Sequence, residues 1–349
     1  MTDKVYSEEE WGKALEAVKD GYTKVYVPQK EGDFHMFRDF KEGARPDFKY
    51  QNTRLSAKGL VYPQSMKMFE CSMDGNAEDS HIFKEVDKDY GPRVVVGIRP
   101  CDAAAFLVVK RNFDNPDYRD PWWVKWYEST TFVGLGCTEP CATCFCASAA
   151  GGPFGIEGLD VLLYELKDGL LARGLTDKGE EFLSKAAGGR SAGEDDLKAA
   201  EAVAEESDGR IVSAIKSGKL AEKVQLDLFN APFWEEIGFS CLNCGTCTYL
   251  CPTCWCFDIQ DEVHGSQGDR IRNWDSCMFP LFTLHGTGHN PRDRKWQRVR
   301  QRFMHKLKYY VDKYDAGIQC TGCGRCVRYC PVNIDIRRAA ELMNEHQPA

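Results

Sequence analysis

The sequence predicts two architectures in series: an α+β or α/β region at the N-terminal end, and a largely α-helical, cysteine-dense region at the C-terminal end. Three observations predict this. Two buried-type strands, RVVVGI at 93–98 and TFVGLG at 131–136, flank the helical stretch AAAFLVVKRNF, which is the strand–helix–strand order of a parallel sheet. Eleven of the 17 cysteines fall within 226–349. Residues 157–225 contain none and are rich in Ala, Glu and Lys. A chain of 349 residues is long enough for two or three cores, so the expected divisions are 1–156, 157–225 and 226–349.

Residues 7–20 read as an amphipathic helix with Ser7 as N-cap, and Glu8, Glu9 and Glu10 suit the positive end of its dipole. KVYVPQ, from Lys24, reads as a short strand ended by proline. From 28 to 92 only the turns GARPD (43–47) and DYGP (89–92) stand out. RVVVGI then leads through RPCD into a helix with Asp102 near its cap, and TFVGLG runs straight into Cys137. If these strands are parallel, Cys101 and Cys137 both lie just beyond carboxyl ends, where open α/β sheets place their ligands. VLLYELKDGLLARGL reads as a hairpin turning at Lys167, Asp168 and Gly169, and TDKGEEFLSKA as a capped helix. The helical stretch that follows, interrupted by GGRSAGEDD, is expected to be an exposed structural appendage.

Composition narrows the function. With 43% hydrophobic and 28% charged residues the chain reads as globular. A net charge of −8 argues against a dedicated nucleic-acid binder. MTDKVYSEEEWGKALEAVKDG has no apolar core of a secretory signal, and RVVVGI and VLLYEL are far too short to cross a bilayer, so a cytoplasmic protein without membrane contact is expected. Bunched cysteines in a long chain without a signal point to metal binding in a reducing compartment.

The strongest motif occurs twice: Cys241-x2-Cys244-x2-Cys247-x3-Cys251-Pro252 and Cys320-x2-Cys323-x2-Cys326-x3-Cys330-Pro331. This is the bacterial ferredoxin run, in which three close cysteines hold three corners of one iron–sulfur cube and the fourth ligates the other. Cys241, Cys244, Cys247 and Cys330 are therefore assigned to a first [4Fe–4S] cluster, and Cys320, Cys323, Cys326 and Cys251 to a second. Gly245 and Gly324 allow tight turns around metal, and backbone N–H groups in such loops can donate to the sulfurs. Zinc ribbons need two C-x2-C pairs per ion and fit these CP-ended runs poorly. Between Cys251 and Cys320 lie 68 residues, a gap expected to be helix-rich, and the region resembles the α-helical ferredoxin domain of succinate dehydrogenase iron–sulfur subunits. Basic residues run from Arg292 to Lys308 with only Asp293 opposing them. They read as a solvated helix face, as a partner-docking surface, or, the favoured reading, as compensation for thiolate-ligated cubes.

The stretches YPQSMKMFE, GIRPCDAAAF, TCFC, CPTCWCFD, NWDSCMFPLFTLHGTGHNPR, RQRFMHKLKYY and CTGCGRCVRYCPVNIDI resemble one family of 4Fe–4S dicluster proteins. That family includes the beta subunit of cytoplasmic NiFe sulfhydrogenases and the A subunit of anaerobic sulfite reductase. The resemblance implies an electron-carrying subunit, accompanied by a flavin- and NAD(P)-binding subunit similar to ferredoxin–NADP reductase and by a catalytic subunit. It also implies cysteines at Cys101, Cys137, Cys144 and Cys146, while the position of Cys141 is not regularly cysteine. GCTEPCATCFC, with its x3, x2, x1 spacing, matches no common metal pattern. The strand reading nevertheless brings Cys101 into the same crevice. A third [4Fe–4S] cluster on Cys101, Cys137, Cys144 and Cys146 is therefore expected, with Cys141 as spare or alternate; a merely buried or reactive cysteine patch is the competing reading.

No G-x-G-x-x-G lies between a strand and a helix, so no flavin or NAD site is expected in this chain, and there is no P-loop. His264, His285 and His289 stand alone, and GTGHNPRDR reads as an ordinary turn. No catalytic residue is assigned. Cys254, Cys256 and Cys277 remain, as buried small residues or as groups that tune or shield the clusters, and Cys71 is assigned no role. The expected function is an iron–sulfur electron-transfer subunit of a soluble multi-subunit oxidoreductase, of hydrogenase or sulfite reductase type. The alternatives are a sulfur or disulfide reductase active in its own right, using Cys254 and Cys256, and a redox sensor or structural metal module.

Overall fold

The structure, a computed structural model, describes residues 2–41 and 46–347. Residues 43–45 of the expected GARPD turn lie outside the described residues. The strands are β1 (Asp3–Tyr6), β2 (Lys24–Glu31), β3 (Phe34–Asp39), β4 (Ser65–Ser72), β5 (Lys84–Glu85), β6 (Arg93–Ile98), β7 (Thr130–Leu135), β8 (Val161–Leu166), β9 (Gly169–Gly174), β10 (Arg190–Ser191), β11 (Phe257–His264) and β12 (Gln267–Trp274).

An eight-stranded mixed sheet runs β10-β1-β9-β8-β7-β6-β2-β3. β2, β6, β7 and β8 pair in parallel, with Val95 opposite Phe132 and Ile98 opposite Gly134. Every residue of β6 and β7 is buried, which explains their uninterrupted apolar runs. Alternation sends Val94 and Val96 to one face, with Trp11, Leu15 and Phe182, and Val95 to the other, with Phe106, Trp123 and Phe132. The helix Glu8–Val18 covers the first face; Ser7 caps it in a capping box with Glu10, as its sequence predicts. The helix Pro100–Phe113 covers the second.

Three expectations are corrected here. β2 continues through Pro28, because its parallel ladder to β6 covers only Lys24–Tyr26 and the missing N–H falls outside it. The hairpin β8–β9, with its two-residue loop Lys167–Asp168, does not belong to an appendage: β8 pairs with β7 and β9 with β1, placing Leu162, Leu163 and Leu171 in the sheet's interior. The helix Glu194–Gly209 is largely exposed, yet Ala200 and Ser207 are buried.

The fourth correction concerns the gap between the ferredoxin runs, which begins with a β-hairpin. β11 and β12 join through Gly265–Ser266, with Gly265 at φ +63°, and β12 also pairs antiparallel with β4 in a second sheet ordered β11-β12-β4-β5. Residues 65–72 thus share a sheet with 267–274, so the divisions at 156 and 225 do not separate independent sheets. Only then does the gap turn helical, from Lys295 through a π-helical turn at His305–Tyr309 to Tyr314. A third core of Trp234, Met278, Phe303, Leu307, Ile336 and Met343 closes this end. Among the described residues no helix is long and apolar enough to cross a membrane.

Candidate metal centres

The two ferredoxin loops share one backbone shape. Gly245 (φ +74°) and Gly324 (φ +73°) each open a one-turn helix, Thr246–Tyr249 and Arg325–Arg328, from left-handed geometry. Asn243 (φ +55°) and Gly322 (φ +68°), two residues earlier, are also left-handed. These turns aim backbone N–H groups at sulfur: Asn243 N lies 3.4 Å from Cys241 Sγ, Gly322 N 3.5 Å from Cys320 Sγ, and Ile334 N 3.3 Å from Cys330 Sγ. Such donors stabilise a thiolate over a thiol.

The cysteines then close around two cavities. Cys241, Cys244, Cys247 and Cys330 line one, with Met278, Val299 and Phe303 as apolar wall. Cys320, Cys323, Cys326 and Cys251 line the other. The four cysteines assigned to each cluster thus line one cavity together, and Cys326 of the second set lines the first as well. Cys326 and Arg302 line both cavities, so little more than one side chain separates them. Among the described residues no three Cys, His, Asp or Glu side chains converge closely enough for a single ion. Rings of thiols around a space fit a polynuclear cube better than zinc, whose four ligands must meet at one point.

The basic run is mostly not a solvated face. Arg298, Arg300, Arg302, Lys306 and Lys308 are all buried, and Arg298, Arg302 and Lys306 recur every fourth residue along the helix. Arg302 donates to the Cys247 carbonyl (3.3 Å); Lys306 Nζ donates to Thr253 Oγ1 (2.8 Å) and the Gln319 carbonyl (3.2 Å). Burial works against the charge on both, yet Cys247 and Cys326 hold the pKa of Arg302 above its ordinary value, and Cys251 and Cys254 do the same for Lys306. As free thiols, Cys247 is pushed up to about 11 and Cys320 to about 12, in each case by burial, with Arg302 and Lys306 opposing. Charge compensation is the role that this geometry supports. The π turn falls on this stretch, as such turns often do at functional sites.

The third expected set is brought together in part. Arg99 ties the ends of β6 and β7 by donating to the Leu135 (3.2 Å), Gly136 (2.5 Å) and Gln51 (2.9 Å) carbonyls. Cys101 begins the helix after β6, and Cys137 follows β7 with its N–H on the Pro153 carbonyl (3.1 Å), so both do sit at neighbouring strand ends. Burial, then the charges of Asp102, Cys323 and Cys146, raise the Cys101 thiol; burial and then Cys137 push Cys146 up to about 12. The sulfurs of Cys144 and Cys141, expected as ligand and spare, lie against each other, with Cα atoms 5.4 Å apart.

This crevice abuts the second ferredoxin loop. Phe145 N donates to the Gly322 carbonyl (2.9 Å), and Asn52 Nδ2 to the Cys323 carbonyl (3.1 Å). A Cβ on Gly322 would lie 2.6 Å from Cys146 N, and one on Gly324 2.7 Å from the Thr143 carbonyl. Glycine is therefore required twice over, for φ and for close approach.

A family profile described as a 4Fe-4S dicluster domain matches residues 240–334. The chain is also 30% identical, over 325 residues, to the sulfhydrogenase 2 subunit beta of Pyrococcus furiosus, covering 92% of each chain. The chain belongs to the sulfhydrogenase beta-subunit family. It is an iron–sulfur electron-transfer protein with a C-terminal 4Fe–4S dicluster domain, as the resemblance implied.

Sequence reasoning missed several side chains around these family cysteines. Lys58 is buried and donates to the Cys254 carbonyl (3.0 Å), and Gln319 Nε2 donates to the Thr253 carbonyl (2.7 Å). Nothing local marks Lys58; the four-residue spacing of Arg298, Arg302 and Lys306 was available as a signal. His285–Arg292 is a turn closed by its own hydrogen bonds, as expected, and Cys71 is buried in β4 against the Met73 thioether.

Proposed function

We propose that this chain relays single electrons within a soluble, cytoplasmic hetero-oligomer, between a flavin- and NAD(P)-binding subunit and a catalytic subunit of hydrogenase or sulfite reductase type. One observation carries the reading: the two cysteine-ringed cavities share Cys326 and Arg302 as a common wall. Bound [4Fe–4S] cubes supply one-electron redox capacity. Cys241, Cys244, Cys247 and Cys330 hold the first, and Cys320, Cys323, Cys326 and Cys251 the second. Arg302 and Lys306 balance the thiolate charge, while Met278, Val299 and Phe303 form the apolar wall of the first site. Cys244 is exposed whereas Cys320, Cys323 and Cys251 are buried, so exchange with a partner runs through the first site.

The third ligand set belongs to the same proposal. Cys101, Cys137, Cys144 and Cys146 hold a further [4Fe–4S] cluster beside Cys323, with Cys141 as alternate ligand.

The relatedness to a sulfhydrogenase subunit and the lack of a G-x-G-x-x-G between strand and helix support a conduit that depends on other chains for flavin and substrate. The test is affinity purification from anaerobic cells, then stopped-flow reduction by the co-purifying flavin subunit. Rapid bleaching of the iron–sulfur absorbance is expected. Slow or absent reduction overturns the relay, and turnover of a sulfur or disulfide compound by the isolated chain with an artificial donor marks an enzyme in its own right.

A further inference from the structure

A third cavity lies beside the second cluster site, outside the ferredoxin motifs. It is lined by Cys254, Cys256, Cys277, Arg302, His305, Lys306 and Gln319, with Trp255. The fold explains how distant cysteines meet there. Cys256 immediately precedes β11 and Cys277 closely follows β12; Phe257 pairs with Trp274, and Asp275 N donates to the Cys256 carbonyl (2.9 Å). The open end of the hairpin therefore brings the two thiols together. Cys254 is positioned by its N–H on the Cys251 carbonyl (3.4 Å) and by Lys58 Nζ on its own carbonyl.

The charge around this cavity is lopsided. Arg302 and Lys306 line it, and Lys58, which lines neither motif cavity, lies 3.8 Å over the Trp274 ring with its ammonium beside Cys254. Gln319 Oε1 and Arg302 Nε, on residues 3% and 4% exposed, have no hydrogen-bond partner. No carboxylate lines the space. Buried cations persist where negative charge answers them, and the thiols are the lining groups that can supply it. Thiols become thiolates on coordinating metal. The Cys256 and Cys277 side chains are in hydrogen-bond contact, and the Cys254 side chain touches Cys251 of the second site, so the three thiols occupy one wall shared with that site.

We infer that Cys254, Cys256 and Cys277 hold an additional iron–sulfur cluster. Three corners are thiolate-ligated, and His305 is the imidazole that shares the lining. Lys58, contributed from the N-terminal region, and Arg302 and Lys306, shared with the second site, supply the compensating charge. The site is independent of the Cys101, Cys137, Cys144 and Cys146 set and of the choice of partner subunits.

The test uses the full-length chain, reconstituted anaerobically with iron and sulfide, and measures iron and acid-labile sulfide per chain together with electron paramagnetic resonance of the reduced protein. C256S/C277S is expected to lose about four irons relative to the unsubstituted chain, as for one cube, while the remaining paramagnetic signals persist. Unchanged iron content, or zinc in place of iron at this site, overturns the inference. If C256S/C277S does not fold, C137S/C146S decides, because it leaves this cavity intact. Redox titration of that variant is expected to resolve three centres, two from the ferredoxin runs and one from this site; two centres overturn the inference. Failure of the Cys101 set appears separately, as unchanged iron in C137S/C146S.

Discussion

Asp102 and Arg325 form an ion pair in which both side chains are essentially inaccessible, at 2% and 0% exposure, with Nη1–Oδ1 and Nη2–Oδ2 distances of 2.5 and 2.7 Å. Asp102 follows Cys101 in the first turn of its helix; Arg325 follows Gly324 in the second ferredoxin loop. The guanidinium also donates to the Thr53 carbonyl (2.9 Å). One pair thus joins the strand-end crevice to the second cluster site. Asp102→Ala leaves Arg325 charged and unanswered in the interior, and is expected to cost about 3–5 kcal/mol of stability. Urea denaturation of D102A, R325M and the double variant measures it. The double variant is expected to recover most of the loss; simple additivity of the two single losses would sink the coupling.

Glycine substitutions separate steric demand from backbone preference. Gly265 has φ +63° and open space around its missing Cβ, so Gly265→Ala is expected to cost on the order of 1–2 kcal/mol from the left-handed conformation alone. Gly322→Ala adds a backbone clash with Phe145 and Cys146. It is expected to lose clearly more stability than Gly265→Ala, and iron from the second site with it. Equal urea midpoints for the two variants would refute the close approach.

Lys306 contributes positive charge to the second site without being a ligand. Lys306→Met is expected to keep the iron content and to make one cluster harder to reduce, shifting its midpoint potential negative in a spectroelectrochemical titration. Burial opposes the lysine's charge, and the neighbouring Cys251 and Cys254 sustain it. An unchanged potential would mean that the ammonium is compensated elsewhere.

The strand-end ligand set predicts a specific loss. Cys101→Ser is expected to remove about four irons per chain, one cube's worth, whereas Cys141→Ser leaves the iron content intact. Retention of iron in C101S, or equal losses in both variants, would reassign the ligands.

Much of this protein can be read along the chain because its signals are local. Eight cysteines in two C-x2-C-x2-C-x3-C-P runs announce a 4Fe–4S dicluster domain by their spacing, Ser7 and Glu10 announce a helix start, and RVVVGI and TFVGLG announce buried parallel strands. The hairpin β11–β12 carried its signal too, a Gly-Ser pair between alternating residues, but the helical expectation for the gap masked it. What remained hidden is long-range. β4 pairs with β12 across 195 positions at Ser72 and Gln267, and the hairpin β8–β9 enters the main sheet because its apolar residues on both faces need cover. The buried pair Asp102–Arg325, the reach of Lys58 to Cys254, and the meeting of Cys256 with Cys277 at the end of a hairpin leave no periodic or spacing pattern. Charges and thiols in a low-dielectric interior are matched by proximity in space, and only the folded chain sets those distances.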